Sequence, residues 1–598
     1  MKRYMALLVT LTLLLAGCGN QQGNSPDTQA QTPAGQEQTG DENISTQINV
    51  LELFSDRDRD GSFDESKSAV ITFNGASAAC TSDAVQIDGT TVTIIDEGTY
   101  ILRGSLEDGG VVVNAAKEDK VQLVLDGVSI HSAHSAPIYI LQADKVFITL
   151  AQSSENTLSN GGSFQQLDEN NIDGVIFSKE DVTLNGNGSL AVTSPAGHGI
   201  VSKDELIITG GSYTVSSASH GLAGKDSVCI ADGTMHITAG KDGIHAENSE
   251  DASKGYVYIG GGSFTVSAEG DGVSAANAMQ LDGGAFQILS GGGSENGAKQ
   301  TSDNWGGFMG GKRPGMGGFK NEVTEDALEE SASIKGLKAS GDLVINGGSY
   351  SINSADDAIH SNANLTVASG SFDIATGDDG FHADENLTIN AGTVRIAESY
   401  EGLEGLHIKL TGGDITLVAS DDGVNAAGGT DQSGFGGIRG DRFGGGRGGI
   451  GSGMSAGNGS IVISGGRLAV TASGDGIDAN GTLEITGGYT TVCGPTQGDT
   501  ATLDYDTSAV IKSGVFIGTG ASGMAQTFSD SEQGVISLNV GSQSAGTQIT
   551  VTDSKGNVLL EHAPELNYAV VILSCPELIK GESYTVTIGA MSETFQAS

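Results

Sequence analysis

Asp357-Ala358-Ile359-His360, then Leu365-Thr366-Val367-Ala368-Ser369-Gly370-Ser371-Phe372-Asp373-Ile374, is the stretch that decides the fold, because the chain repeats it at once. The repeat reads Asp379-Gly380-Phe381-His382, then Leu387-Thr388-Ile389-Asn390-Ala391-Gly392-Thr393-Val394-Arg395-Ile396, and a third unit opens at Glu401, so the unit returns after 22 residues. Each unit is an acidic turn, a short run of alternating apolar residues, a Gly turn and a second alternating run. Alternation with a period of about 20 residues marks a β-solenoid, in which no turn buries its inward face alone and neighbouring turns must stack. The expected fold class is all-β: a parallel β-helix, right-handed by the crossover rule, with equivalent residues about 4.8 Å apart on successive coils.

Outward from this centre the motif is traceable in both directions. It appears at Asp173-Gly174-Val175 and returns at His198, His220, Asp242 and Asp271; after an interruption it resumes at Asp357, Asp379, Glu401, Asp422 and Asp475. Many units also carry a Gly pair before the second run, among them Gly210-Gly211, Gly283-Gly284, Gly347-Gly348 and Gly487-Gly488. Glycine there supplies a positive φ at a corner. Short strand-like runs start near Val70-Ile71-Thr72-Phe73, and after Tyr489 the pattern dissolves. The last segment, with runs such as Ala569-Val570-Val571-Ile572-Leu573, reads as antiparallel-like strands that cap the open final coil. The domain division is therefore a β-helix over 46–530 and a small β cap over 531–598, with Gly-rich inserts at 291–332 and 428–457.

Composition agrees with strands and restricts the partners. There are 93 glycines in 598 residues without a Gly-X-Y period, and aromatics make up only 5%. A net charge of −45 argues against nucleic acid and against anionic membranes as partners. Cysteines at 18, 80, 229, 493 and 575 show no metal-site spacing, and no disulfide framework is inferred. Met1-Lys2-Arg3, the apolar stretch Met5 to Leu14 and Leu15-Ala16-Gly17-Cys18 together resemble a lipoprotein signal peptide over 1–18, with Cys18 as the lipidated residue. The apolar stretch is short for a membrane-spanning helix. Residues 19–45, rich in Gln, Gly, Thr and Pro, read as a flexible tether. The expectation is an extracytoplasmic protein at the cell surface, in contact with the membrane through its lipid only, and a monomer.

Four sets of residues carry candidate chemistry. Asp56, Asp58 and Asp60 alternate ahead of Gly61 like the start of an EF-hand loop, but Lys67 stands where the bidentate Glu belongs and the flanks do not look helical. A calcium loop and a solvated acidic turn both remain open there. Stacking places Asp357, Asp379, Glu401, Asp422 and Asp475 in one column, widened by Asp356, Asp378 and Asp421. A second column holds His360, His382, Glu404, Asn425 and Asp478, with Asp384 close by. Carboxylates about 5 Å apart repel unless cations bridge them, and Ca²⁺ is the natural ion for oxygen ligands; a plain solvent-facing Asp-Gly turn is the alternative. His198 and His220 share one turn position and would need a third ligand to hold a transition metal. Lys179, Lys203 and Lys225 form a ladder beside Asp181, Asp204 and Asp226, either a self-compensating row or a strip for uronate carboxylates. In the inserts, Trp305, Phe308 and Phe443 are either parts of glycine-rich loops or platforms for stacking on sugar rings.

Phe54-Ser55-Asp56-Arg57-Asp58, Ser202-Lys203-Asp204, Gly224-Lys225-Asp226, the Asp-Asp-Gly repeats, Lys254-Gly255-Tyr256-Val257-Tyr258-Ile259 and Leu503-Asp504-Tyr505-Asp506 together are specific. From about residue 45 onward the chain resembles the bacterial carbohydrate-binding domain-containing parallel β-helix family, related to a clostridial cellulose- and polygalacturonate-binding protein. The resemblance implies a pectate-lyase-like right-handed solenoid, calcium sites along the coils, and surface binding of polysaccharide without established hydrolysis. His198 and His220 depart from it, standing where a family-like Asp would fit. The resulting reading is a non-catalytic binder of acidic, pectin-like or cellulosic glycans with calcium as cofactor. Its rivals are a calcium-dependent polysaccharide lyase, with Lys203 or Lys225 as base, and a structural spacer or adhesin that presents its Gly-rich loops to a protein.

Overall fold

The computed structural model describes residues 48–165, 169–297, 333–427, 457–498 and 500–598. The alternation in the sequence becomes alternation of burial. In Ser349–Ser354, Tyr350, Ile352 and Ser354 point inward while Ser349, Ser351 and Asn353 face out. A short strand of this kind leaves both backbone edges unpaired, and the neighbouring coils supply the partners. Each coil contributes three strands, for example Leu343–Ile345 on face one, Ser349–Ser354 on face two and Ile359–Ser361 on face three.

Parallel pairing then runs coil to coil. Face one aligns Leu343 with Leu365 and Leu387. Face two aligns Tyr350 with Phe372 and Val394, and face three aligns Ile359 with Phe381 and Leu403. One sheet of 46 strands results, parallel through the coils and compatible with a β-helix. Like stacks on like inside it: the rings of Phe264, Phe286, Tyr350 and Phe372 lie face to face with centroids 4.6, 4.9 and 4.9 Å apart, the spacing of the strands that carry them.

Two kinds of glycine make the corners. The second member of each Gly pair has positive φ, 109° at Gly284 and 108° at Gly348, as the sequence predicts. The glycine after the acidic turn serves a different end. A Cβ on Gly380 would stand 2.5 Å from Ile396 Cδ1 and 2.6 Å from the Gly402 carbonyl oxygen, so this coil takes glycine, while the equivalent corner one coil earlier accommodates no more than the methyl group of Ala358.

The N-terminal motif corrects the sequence reading. Asp56–Arg59 is one helical turn, capped by Ser55 in a reciprocal capping box with Asp58. At the other end, Val515–Gly520 on face two pairs antiparallel with Tyr568–Ser574, which also pairs with Val535–Gln543. A four-stranded antiparallel sheet of Ile549–Thr552, Val558–His562, Ser583–Ile588 and Met591–Gln596 follows.

Candidate functional site: a double column on face three

The aspartates before the face-three strands from Asp242 onward have a backbone role that accounts for their repetition. The Oδ1 of each accepts the N–H of the equivalent residue one coil on. Asp242 accepts from Asp271 and Asp271 from Lys335, both at 2.8 Å. Asp357 accepts from Asp379 at 3.1 Å, Asp379 from Glu401 at 3.2 Å, and Asp422 from Asp475 at 2.5 Å. Asp475 accepts from Ala501. Corner amides that the strand ladder leaves over are thereby satisfied. The second carboxylate oxygen remains for the neighbouring column, three residues later on the strand, where Lys338, His360, His382, Glu404, Asn425 and Asp478 align in register.

In the middle of the double column the charges are matched from within. Lys335 stands where other coils carry an acid, and its Nζ lies 2.5 Å from Asp357 Oδ2 and 3.1 Å from Asp356 Oδ1. His360 Nδ1 is 2.7 Å from the same Asp357 oxygen. Burial raises the Asp357 pKa, but Lys335 and His360 outweigh it and hold the carboxyl well below its usual range. One coil on, His382 Nδ1 lies 2.7 Å from Glu404 Oε2 and 3.3 Å from Asp379 Oδ2, and its Nε2 lies 3.1 Å from Asp384 Oδ1. Burial lowers the His382 pKa, and the surrounding carboxylates reverse this and lift it well above the ordinary value. Asn425 Nδ2 donates to both oxygens of Glu401, at 3.2 and 3.1 Å. Asp356, Asp357, Asp379, Asp384 and Glu404, all expected as calcium ligands, thus surround an ammonium or an imidazolium. Asp378 offers an oxygen to the same group as Asp356 and Asp357. Lys335 was not singled out from the sequence; its position one repeat before Asp357 was the available signal.

The far end differs. Asp422, Asp475 and Asp478 bring carboxylate oxygens within 4.8 Å of one another. Burial, then Asp421 and Asp475, push Asp422 up to about 9. Burial, Asp478 and Asp504 push Asp475 up to about 7, and burial with Asp504 and Asp506 raises Asp478. Asn480 donates to both Asp478 oxygens, at 3.0 and 3.1 Å. Among the described residues no lysine, arginine or histidine pairs with these three acids. An all-oxygen set with unbalanced charge fits a hard divalent cation.

The remaining expectations fall into place one by one. Asp56, Asp58 and Asp60 are not gathered around a common point. Asp58 is buried and takes Thr183 Oγ1 at 2.5 Å and Lys145 Nζ at 2.8 Å, tying the N-terminal turn to the coils. Asp60 accepts the Ser62 N–H at 2.9 Å, and Asp56 is exposed. Lys179, Lys203 and Lys225 each follow strand ends aligned as Ser178, Ser202 and Gly224, so they share one coil position. Lys203 Nζ lies 3.7 Å from Asp173 Oδ2, while Asp226 binds Lys254 and Asn248. His198 and His220 stack at 5.1 Å. His245, which the sequence reading passed over, stacks on His220 at 4.2 Å. Trp305 and Cys18 lie outside the described residues.

Residues 88–380 match the family described as "Carbohydrate-binding domain-containing protein". A carbohydrate-binding domain-containing protein of Acetivibrio thermocellus is 38% identical over 135 residues, 22% of this chain and 47% of that protein, so the chain spans about half the length of that relative. A structure described as the polysaccharide lyase-like protein from C. thermocellum, as a gadolinium derivative, is 36% identical and covers 38% of this chain and 92% of its own, with a TM-score of 0.37. Over the coils of residues 88–380, this chain is thus similar to the family described as carbohydrate-binding domain-containing proteins.

Proposed function

We propose that the chain is a non-catalytic polysaccharide-binding lipoprotein of the cell surface, anchored through Cys18. Its right-handed β-helix takes acidic, pectin-like or cellulosic glycans with the help of calcium. The match of residues 88–380 to a carbohydrate-binding domain-containing family supports carbohydrate binding. The observation that carries the cation is the Asp422, Asp475 and Asp478 set, the stretch of the column where acids meet without a matching side chain among the described residues. Calcium held by these three acids would supply the positive charge that a polyuronate needs to approach a chain of net charge −45.

The lyase reading requires a neutral base. Lys203 Nζ is paired with a carboxylate, 3.7 Å from Asp173 Oδ2, an arrangement that holds it as a counter-charge. The test is retention of the full chain on polygalacturonate and on cellulose, with and without chelator, while ultraviolet absorbance follows any unsaturated product. Retention that calcium strengthens, without a rise in absorbance, supports the binder. A rise makes the chain a lyase, and no retention on either polymer leaves the spacer.

A further inference from the structure

We propose that His220, Asp242 and His245 form a binding site for a divalent transition-metal ion of the zinc class, separate from the carboxylate set at the far end of the column. The coil repeat builds it. His220 and Asp242 hold the same turn position one coil apart, because Leu222 pairs with Ile244 in the parallel register, and His245 aligns beside Ala223. The three side chains are 13%, 13% and 22% exposed, so the group lies at the rim of the solenoid, within reach of an ion from solvent.

The nitrogen chemistry points to a ligand. The Asp242 N–H donates to His220 Nδ1 at 3.2 Å, so the ring proton sits on Nε2 and the single Nδ1 lone pair is held by this long bond, which an ion bound at Nδ1 displaces. His220 Nδ1 lies 3.3 Å from Asp242 Oδ2. His245 Nδ1 is buried and lies 2.8 Å from the same oxygen. Asp242 Oδ1 is already taken by the Asp271 N–H at 2.8 Å, which leaves Oδ2 for an ion. Two imidazole nitrogens and one carboxylate oxygen thus converge within 4.8 Å.

Zinc bonds of about 2.0–2.1 Å in a tetrahedron space ligand atoms about 3.3 Å apart, the separation already present between His220 and Asp242. Two imidazoles with one carboxylate and open positions suit zinc, cobalt, nickel or ferrous ion, whereas the all-oxygen set at Asp422 suits calcium. The rings of His220 and His245 lie 4.2 Å apart and only 16° from parallel, so one ion cannot sit in both ring planes. Loading the site tilts His245 out of the stack.

Calorimetric titration of the full chain with Zn²⁺, in the presence of millimolar Ca²⁺, tests the site, with Co²⁺ absorption as the spectroscopic readout. The expected result is saturable binding of one Zn²⁺ that calcium does not displace, and Co²⁺ bands of a four- or five-coordinate nitrogen and oxygen site. His245→Ala and Asp242→Asn weaken the affinity at least about tenfold, equivalent to about 1.4 kcal/mol; Asn keeps the oxygen that caps the Asp271 amide, so this variant retains the turn. His198→Ala, which removes none of the three ligands, leaves affinity within about twofold. Absence of zinc binding by the parent chain, or binding unchanged in His245→Ala, overturns the proposal.

Discussion

The middle and the far end of the face-three column use the same turn, the same capping of the next amide and the same residue type, yet their electrostatics are opposite. At Asp357 a lysine and a histidine meet the carboxylate and hold its pKa down. At Asp422 further carboxylates meet it and drive its pKa up to about 9. Capping explains why the chain repeats aspartate at this corner, and it demands no ion. What differs is the counter-charge, and a coil repeat does not specify that: it enters at residues that break the pattern, Lys335 in place of an acid and His382 in the neighbouring column. A solenoid with one geometry can therefore carry its own cations on some coils and require external ones on others.

The most severe way to break the comparison is to remove the internal cation. Lys335→Met leaves Asp356 and Asp357 facing each other in the core, and loss of one partner of a buried ion pair costs about 3–5 kcal/mol. Amide exchange of the adjacent coils is the suitable measurement, because a solenoid opens locally. If the two ends differ only in who supplies the charge, millimolar calcium restores part of the protection in this variant and none in the parent chain at the same coils. Unchanged exchange would mean that Lys335 does not neutralise the column.

The next largest effect is that of pH, and the two regions respond in opposite senses. Asp422 and Asp475 have folded-state pKa values above the unfolded value of about 4, so the folded chain holds their protons more tightly. Their contribution to stability is fully present below that value and is lost as pH rises through about 7 for Asp475 and about 9 for Asp422. In chelator, protection of the coils around Asp422 and Asp475 falls between pH 5 and 9, by about 3 kcal/mol through Asp475 alone and further through Asp422, and calcium flattens the slope. Asp357 is held low; its contribution stands above the ordinary carboxylate pKa and is lost as pH falls through its folded value. Coils at both ends weakening together with rising pH would remove the distinction.

Asp422→Asn sharpens the contrast at smaller cost. The amide keeps the oxygen that accepts the Asp475 N–H, so the turn survives, while the cost of holding a carboxyl protonated in the fold at a pH where the unfolded chain ionises it disappears. In chelator the variant is more stable at pH 8 by about 1–2 kcal/mol, and the calcium dependence of polysaccharide retention drops with it. A variant that is less stable in chelator would show that the acid is structural and not a ligand.

These contrasts mark how far the sequence is legible. The period from Asp357 to Asp379 and Glu401, with alternation inside each unit, is enough to stack the coils and align Ile359, Phe381 and Leu403, because register follows from repetition alone. The carboxylate columns are legible for the same reason. Their compensation is harder to see, since Lys335 follows the insert at 291–332 and carries no acid to mark the turn, so that only counting one 22-residue repeat back from Asp357 places it in the column. The 56–60 motif misled for a related reason. Alternating aspartates look like ion ligands in a linear reading, but Asp58 finds Lys145 and Thr183, remote in sequence, and becomes a buried tether.

The smallest effect is expected from the lysine row, and it separates an exposed charge from a buried one. Lys203 and Asp173 form a pair with side chains 33% and 26% exposed, and Lys179 and Lys225 are exposed at the same coil position. Water screens such groups, so replacing all three lysines by Gln shifts stability by about 0–1 kcal/mol. If cation-mediated capture at Asp422, Asp475 and Asp478 holds the polymer, retention of this triple variant on polygalacturonate stays within about twofold of the parent chain, because single surface charges add little to a bound state at physiological salt. A loss of about tenfold or more, relieved by added salt in neither chain, would move the glycan-binding face to the lysine ladder and leave the carboxylate end a purely structural cation site.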